Sequence, residues 1–198
     1  MTTKALLARI DAKPGSGDAV EKLLTEAQSI VEDEPGTTTW FALRFGHGEY
    51  GIFDAFPDDA GRGAHLDGRV VAALNEHSDL LDGEPEIERL DVLADKLTKE
   101  QVTKALLLRL PIKDSHADDA AAFLRDGASI VAEEPATVAW FAVRFADGAY
   151  GVFDVFPDTR ARRAHLTGQI PRQLALHGLP WLGGLPNMSF ADVLAQKL

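Results

Sequence analysis

The chain has 198 residues, with 20 Lys and Arg against 31 Asp and Glu, a formal net charge of −11. It contains no cysteine, which excludes disulfides, thiolate metal sites, iron–sulfur clusters and cysteine nucleophiles. Such acidity argues against sequence-independent binding of nucleic acid, and the run Arg160-Ala-Arg-Arg163 is too short to reverse it.

Arg9 and Asp11 interrupt the first apolar stretch before it reaches the length of a signal-peptide core, and no window reads as a membrane span. A cytoplasmic protein is expected, with no membrane partner. Residues 4–11 alternate as a strand. Residues 18–33 place Val20, Leu23, Leu24, Ala27, Ile30 and Val31 on one helical face, and Pro35 ends that helix. The acidic run Glu32-Asp-Glu34 reads as a solvated helix end. Strands are predicted at 37–46 and 49–56, joined by the two-residue turn His47-Gly48. Asp58 is placed to cap a helical segment, a second helical stretch covers about 69–77, and residues 86–97 form a last strand.

The pattern then repeats. A shift of one hundred lays Lys4-Ala-Leu-Leu7 on Lys104-Ala-Leu-Leu107, and Trp40-Phe-Ala42 on Trp140-Phe-Ala142. It also lays Phe56-Pro-Asp58 on Phe156-Pro-Asp158, and Ala64-His-Leu66 on Ala164-His-Leu166. One residue inserted near position 182 changes the offset, after which Asp91-Val-Leu-Ala94 matches Asp192-Val-Leu-Ala195. Roughly forty identities record a duplication. The two repeats are 1–99 and 100–198, each β-α-β-β-α-β, and the short join Thr98–Thr103 holds them close.

A two-residue turn makes opposed hairpin positions sum to 95, so Trp40, Ala42 and Arg44 share a face with Ala55, Phe53 and Gly51. The other face carries Phe41, Leu43 and Phe45 beside Asp54, Ile52 and Tyr50. Both faces are apolar, as in a sheet covered on both sides. The expected fold is α+β: two ferredoxin-like repeats whose antiparallel sheets pack into one intramolecular, pseudo-dimeric barrel. Trp40 and Trp140 are expected to fill the space between the sheets, and Arg44 and Arg144 to form ion pairs.

The string Glu34-Pro-Gly-Thr37, the Trp-Phe strand, the Tyr50–Phe56 strand with its acid at Asp54, and Ala64-His-Leu66 resemble the antibiotic biosynthesis monooxygenase family. Glu134-Pro135, Asp154 and His165 repeat them. The resemblance implies ferredoxin-like units that pair as homodimers, here joined in one chain, with a further homodimer compatible. For some members it implies oxidation of hydroxylated aromatics or quinols by O₂ without a cofactor. Other members have no assigned reaction, and heme-degrading relatives share the fold.

Asp54, His65 and His77, copied as Asp154, His165 and His177, form the main candidate constellation. Gly61, Ala64 and His65 fall on one helical stripe, as do Val70, Leu74 and His77. On this reading His65 and His165 are general bases, Asp54 and Asp154 orient them, and Tyr50 and Tyr150 bond a substrate oxygen. Phe41, Phe45, Phe141 and Phe145, with His77 and His177, line the substrate pocket. The substrates are a small aromatic molecule and O₂, with no cofactor and no metal, since no ligand spacing of a metal motif occurs. The alternative is a non-catalytic binding or scaffold protein in which each His–Asp pair is a satisfied core contact. Residues 175–182 are strongly apolar where residues 75–82 are polar, so this segment is expected to line a pocket, form a lid or make an oligomer contact.

Overall fold

The computed structural model describes residues 2–198, as eight strands with helices between them. The first repeat contains β1 (Lys4–Asp11), α1 (Gly17–Glu32), β2 (Thr39–Gly46), β3 (Glu49–Phe56), α2 (Asp59–Leu66), α3 (Arg69–Glu76) and β4 (Glu86–Leu97). The second contains β5 (Lys104–Leu110), α4 (Ala117–Ala132), β6 (Ala139–Phe145), β7 (Tyr150–Phe156), α5 (Thr159–Leu166), α6 (Gln169–Gln173) and β8 (Asn187–Lys197). Strand order is β1-β3-β2-β8-β5-β7-β6-β4, closed as an antiparallel α+β barrel within one chain. Among the described residues no helix is long and apolar enough to cross a membrane.

The compact units are not the sequence repeats. One runs to Leu90 and takes in Ala191–Leu198; the other is Asp91–Phe190. Within the first unit β2 pairs with the far end of β8, from Arg44 opposite Asp192 to Trp40 opposite Lys197. Within the second, the far end of β4 lies beside β6, where Arg144 binds Asp91 at 2.9 Å. Each unit therefore completes its four-stranded sheet with residues from the other repeat. Lys197 donates to the carbonyls of Val31 and Glu34, each at 2.7 Å, and Lys96 makes the same bonds to Val131 and Glu134. A cation at these carbonyls complements the negative end of α1 or α4 and fixes where Glu34 or Glu134 emerges.

The hairpin register differs by one residue from the two-residue-turn expectation. Trp40 stands opposite Asp54, Ala42 opposite Ile52 and Arg44 opposite Tyr50. The cause is a bulge between Arg44 and Gly46, which precedes the two-residue turn. In the second unit the same register arises differently. Phe145 N–H bonds the Ala149 carbonyl at 2.8 Å, which leaves three residues in the loop, and Gly148 takes φ +87°. A one-residue slip exchanges the faces of one strand relative to the next. Trp40 accordingly packs with Val20, Leu24, Ala27 and Val31 of α1 rather than filling the space between sheets. Trp140 lies under α4, where an added Cβ on Gly127 would be 3.3 Å from its ring. Arg44 forms the expected ion pairs, with Glu21 at 2.8 Å and Asp192 at 3.1 Å.

Candidate functional site

The helix-covered face of each sheet carries the candidate acid. Asp58 caps α2 by accepting from Gly61 N–H at 2.8 Å, and Asp158 caps α5 in the same way. These caps start short helices that bring His65 and His165 down onto the sheets, beside Asp54 and Asp154. Both histidines and both aspartates are buried. The ring of Phe56 lies 5.4 Å from that of His65, and Phe156 lies 5.3 Å from His165.

Each histidine has a second carboxylate, and for His65 it comes from Glu34, in the run expected to be a solvated helix end. His65 Nδ1 lies 2.6 Å from Glu34 Oε2, and Thr37 donates to the same oxygen at 2.8 Å. Glu134 and Thr137 repeat this around His165, at 2.6 and 2.9 Å. The signal was present in the duplication, since Glu-Pro and the following threonine recur together while the neighbouring acids vary. The two carboxylates approach opposite ring nitrogens, and among the described residues no cluster of His, Asp and Glu is arranged to hold a metal ion.

The units differ at the other nitrogen. His65 Nε2 lies 3.0 Å from Asp54 Oδ2, whereas His165 Nε2 is 3.5 Å from Asp154 Oδ2, too long for a good hydrogen bond. Both Asp154 carboxyl oxygens are buried without a hydrogen-bond partner; in Asp54 only Oδ1 is. Burial disfavours charge on His65, but the hydrogen bonds and charges of Asp54 and Glu34 outweigh it and push the imidazole up to about 9. Burial pushes Asp54 upward against the opposing pull of His65. Burial likewise pushes Asp154 up, to about 7, against the charge of His165. Both ring nitrogens of His65 are thus engaged by carboxylates that favour its charged form. Asp154 is brought by its burial close to its protonation boundary at neutral pH.

The second pair contributes to the lining of a cavity. A space of about 300 Å³ is lined by Leu106, Leu108, Leu110, Val152 and several residues between Leu166 and Leu182, with Asp154 and His165 also in its lining. In the first unit the matching Ala8, Ile10, Ile52, Val70, Leu74 and Leu81 form one packed core. The difference traces to the inserted residue. α3 runs eight residues, but α6 stops after five and continues as a π-helix, Leu174–Gly178, before a 3₁₀ turn at Leu179–Trp181. A π turn takes up one residue more than an α turn, which absorbs the insertion. Leu174 and Leu182 are only partly buried as a result. The apolar segment singled out in the sequence supplies part of the cavity wall, through Ala175, Gly178, Leu179 and Leu182.

The other expected contacts fall elsewhere. Tyr50 donates to the Gly17 carbonyl at 3.0 Å, and Tyr150 is buried in the core beneath α4. Phe41 stands opposite Phe53 and Phe141 opposite Phe153, on the face away from Asp54 and Asp154. Phe45 and Phe145 cover Gly51 and Gly151, where an added Cβ would be 3.0 Å from each ring, with Arg9 and Arg109 stacked over them. His77 is exposed and its Nδ1 caps the Ala73 carbonyl at 2.9 Å; His177 is exposed too. None of these eight side chains lines the cavity.

No protein-family profile and no curated protein matches the chain in sequence. Solved structures match its fold over nearly the whole length. A Fusobacterium nucleatum protein provisionally named a monooxygenase superposes with TM-score 0.86 at 12% identity, over 99% of this chain and 94% of that one. An anthrone oxidase-like protein gives 0.68 at 10% identity, over 98% and 92%. A Listeria monocytogenes ferredoxin-fold protein related to antibiotic biosynthesis monooxygenases gives 0.59 at 7%, over 98% and 95%. The chain thus has the fold of the antibiotic biosynthesis monooxygenase-related ferredoxin-fold proteins, with two ferredoxin-like repeats in one polypeptide.

Proposed function

We propose that the chain is a cofactor-independent monooxygenase that oxidises a small hydroxylated aromatic molecule or quinol with O₂, in the cavity of the second unit. The observation that carries this reading is an aliphatic cavity of about 300 Å³ whose lining includes the His165–Asp154 pair. Such a lining takes up a compact apolar molecule, and the pair is the polar feature that meets its hydroxyl. Glu134 engages Nδ1, which leaves Nε2 as the nitrogen that accepts a proton. For an anthrone-type substrate the activated methylene loses a proton to His165 and the resulting anion passes electrons to O₂. One oxygen atom ends as the new carbonyl and the other leaves as water with both methylene hydrogens. The substrate supplies all four electrons, so the balance needs no external reductant.

A binding role without turnover is favoured by one observation: Asp154 is fully buried and His165 is 5% exposed, so the pair meets the cavity only at its edge. An oxygen electrode with a panel of hydroquinones and anthrones separates the two readings. Turnover by the wild type, reduced about 10²–10⁴-fold in His165→Gln and by no more than a few-fold in His65→Gln, is expected of the enzyme. Equal losses in the two variants, or none in His165→Gln, would remove His165 as the base. Saturable ligand binding without oxygen uptake would establish the binding role instead.

A further inference from the structure

The duplication supplies an internal control for surface charge. Residues 59–89 hold eight Asp and Glu against three Arg, whereas residues 159–190 hold four Arg and no acid. Three of those arginines, Arg160, Arg163 and Arg172, are exposed, and none has an ion pair among the described residues. The fourth, Arg162, lies over the Phe190 ring, 4.8 Å from its centroid. The same stretch carries most of the large apolar residues that the molecule exposes. Leu176 is 73% exposed, Leu179 65% and Leu185 90%, with Met188 and Phe190 nearly half exposed. Leu179 and Met188 also line the cavity, so the exposed apolar surface continues into its mouth.

We infer that residues 159–190 form a docking surface for an anionic lipid bilayer, through which the cavity exchanges an apolar ligand with the membrane. Exposed leucines beside unpaired arginines are the composition of an interfacial segment, with aliphatic tips entering the acyl boundary and guanidinium groups at the headgroups. An acidic nucleic-acid backbone would satisfy the arginines but leave the leucines in water. The segment itself carries a formal charge of +4, so the rest of the chain carries −15 and the whole −11. Against a negative surface, that imbalance turns this face toward the membrane and the remainder away from it. The arginine run that is too short by itself gains its effect from Arg172 and from the absence of acids along the whole segment.

Flotation with phosphatidylcholine vesicles, with and without phosphatidylglycerol, tests the inference and does not depend on any oxidation. The full-length protein should bind the phosphatidylglycerol vesicles about tenfold or more better than the neutral ones, and less well as salt is raised. Arg160→Glu/Arg163→Glu/Arg172→Glu should lose that binding. Leu176→Ser/Leu185→Ser, which alters only exposed tips, should weaken it several-fold with an unchanged melting temperature. Variants that bind like the wild type would overturn the proposal. So would vesicles left unbound at every salt concentration, the result expected if the surface docks an acidic protein instead.

Discussion

The two histidine clusters are built from the same residue types at the same places in the repeat, yet they end in different electrostatic states. In the first unit His65 is clamped by Glu34 at 2.6 Å and Asp54 at 3.0 Å, above a packed core. In the second, His165 keeps the Glu134 contact but stands 3.5 Å from Asp154, beside a cavity. Half an ångström at one nitrogen separates a histidine clamped between two carboxylates from one held closely by a single carboxylate. On the proposed function, the duplicated site divides its labour: one copy serves the fold while the other meets a ligand.

The largest expected break in this comparison comes from removing each imidazole. His65→Leu leaves Asp54 and Glu34 facing an apolar side chain, and losing one partner of a buried ionic cluster costs about 3–5 kcal/mol. His165→Leu should cost only about 1–2 kcal/mol, because Asp154 already lacks a good hydrogen bond and takes up a proton readily. Denaturant unfolding of the two variants at neutral pH measures the difference. Equal costs would mean that the two clusters are energetically alike.

The two repeats, their element types and the meeting of Asp54 with His65 are legible in the sequence, because periodicity and helical stripes are local signals. The register is not. A two-residue turn at His47-Gly48 is correct, but the bulge that precedes it has no marker at Phe45, and one unpaired residue moves Phe41 and Phe45 to the face away from Asp54. Glu34 reads as a surface acid because nothing local says that Lys197, far along the chain, will hold the end of α1. Division of β4 and β8 between the units is equally invisible, since each strand continues one unbroken pattern.

A second way to sharpen the comparison is pH. Both shifted groups bind protons more tightly in the folded state than in the unfolded one, so folding stability falls as pH rises through each window. For Asp154 the window runs from 3.8 to about 7, and its loss is on the order of 4 kcal/mol; Asp54, pushed the same way, adds to this acid limb. For His65 the window runs from 6.5 to about 9, with a loss on the order of 3 kcal/mol. Asp154→Asn should flatten much of the acid limb while sparing the alkaline one. His65→Gln should flatten the alkaline limb while steepening the acid one, because Asp54 loses the imidazolium that opposes its shift. An acid limb unflattened by Asp154→Asn, or an alkaline limb unflattened by His65→Gln, would contradict the assignment of the two groups.

The smallest effect should come from reversing the insertion itself. If the π turn at Leu174–Gly178 is what holds the wall of the second unit away from its core, then deleting Ala175 should let α6 continue as an α-helix, as α3 does. Leu174 and Leu182 would then close onto Leu110 and Val152, as Leu74 and Leu81 close onto Ile10 and Ile52 in the first unit. Burial of these side chains offsets the loss of one exposed residue, so overall stability should change by no more than about 1 kcal/mol. Occupancy of the cavity by an apolar fluorescent dye should fall about tenfold, equivalent to about 1.4 kcal/mol. The His165–Asp154 pair lies on α5 and β7, outside the deleted turn, so a loss of dye binding with an unchanged acid limb would assign the cavity to the insertion and the proton chemistry to the older, duplicated cluster. Undiminished dye binding would show that the cavity does not depend on the π turn.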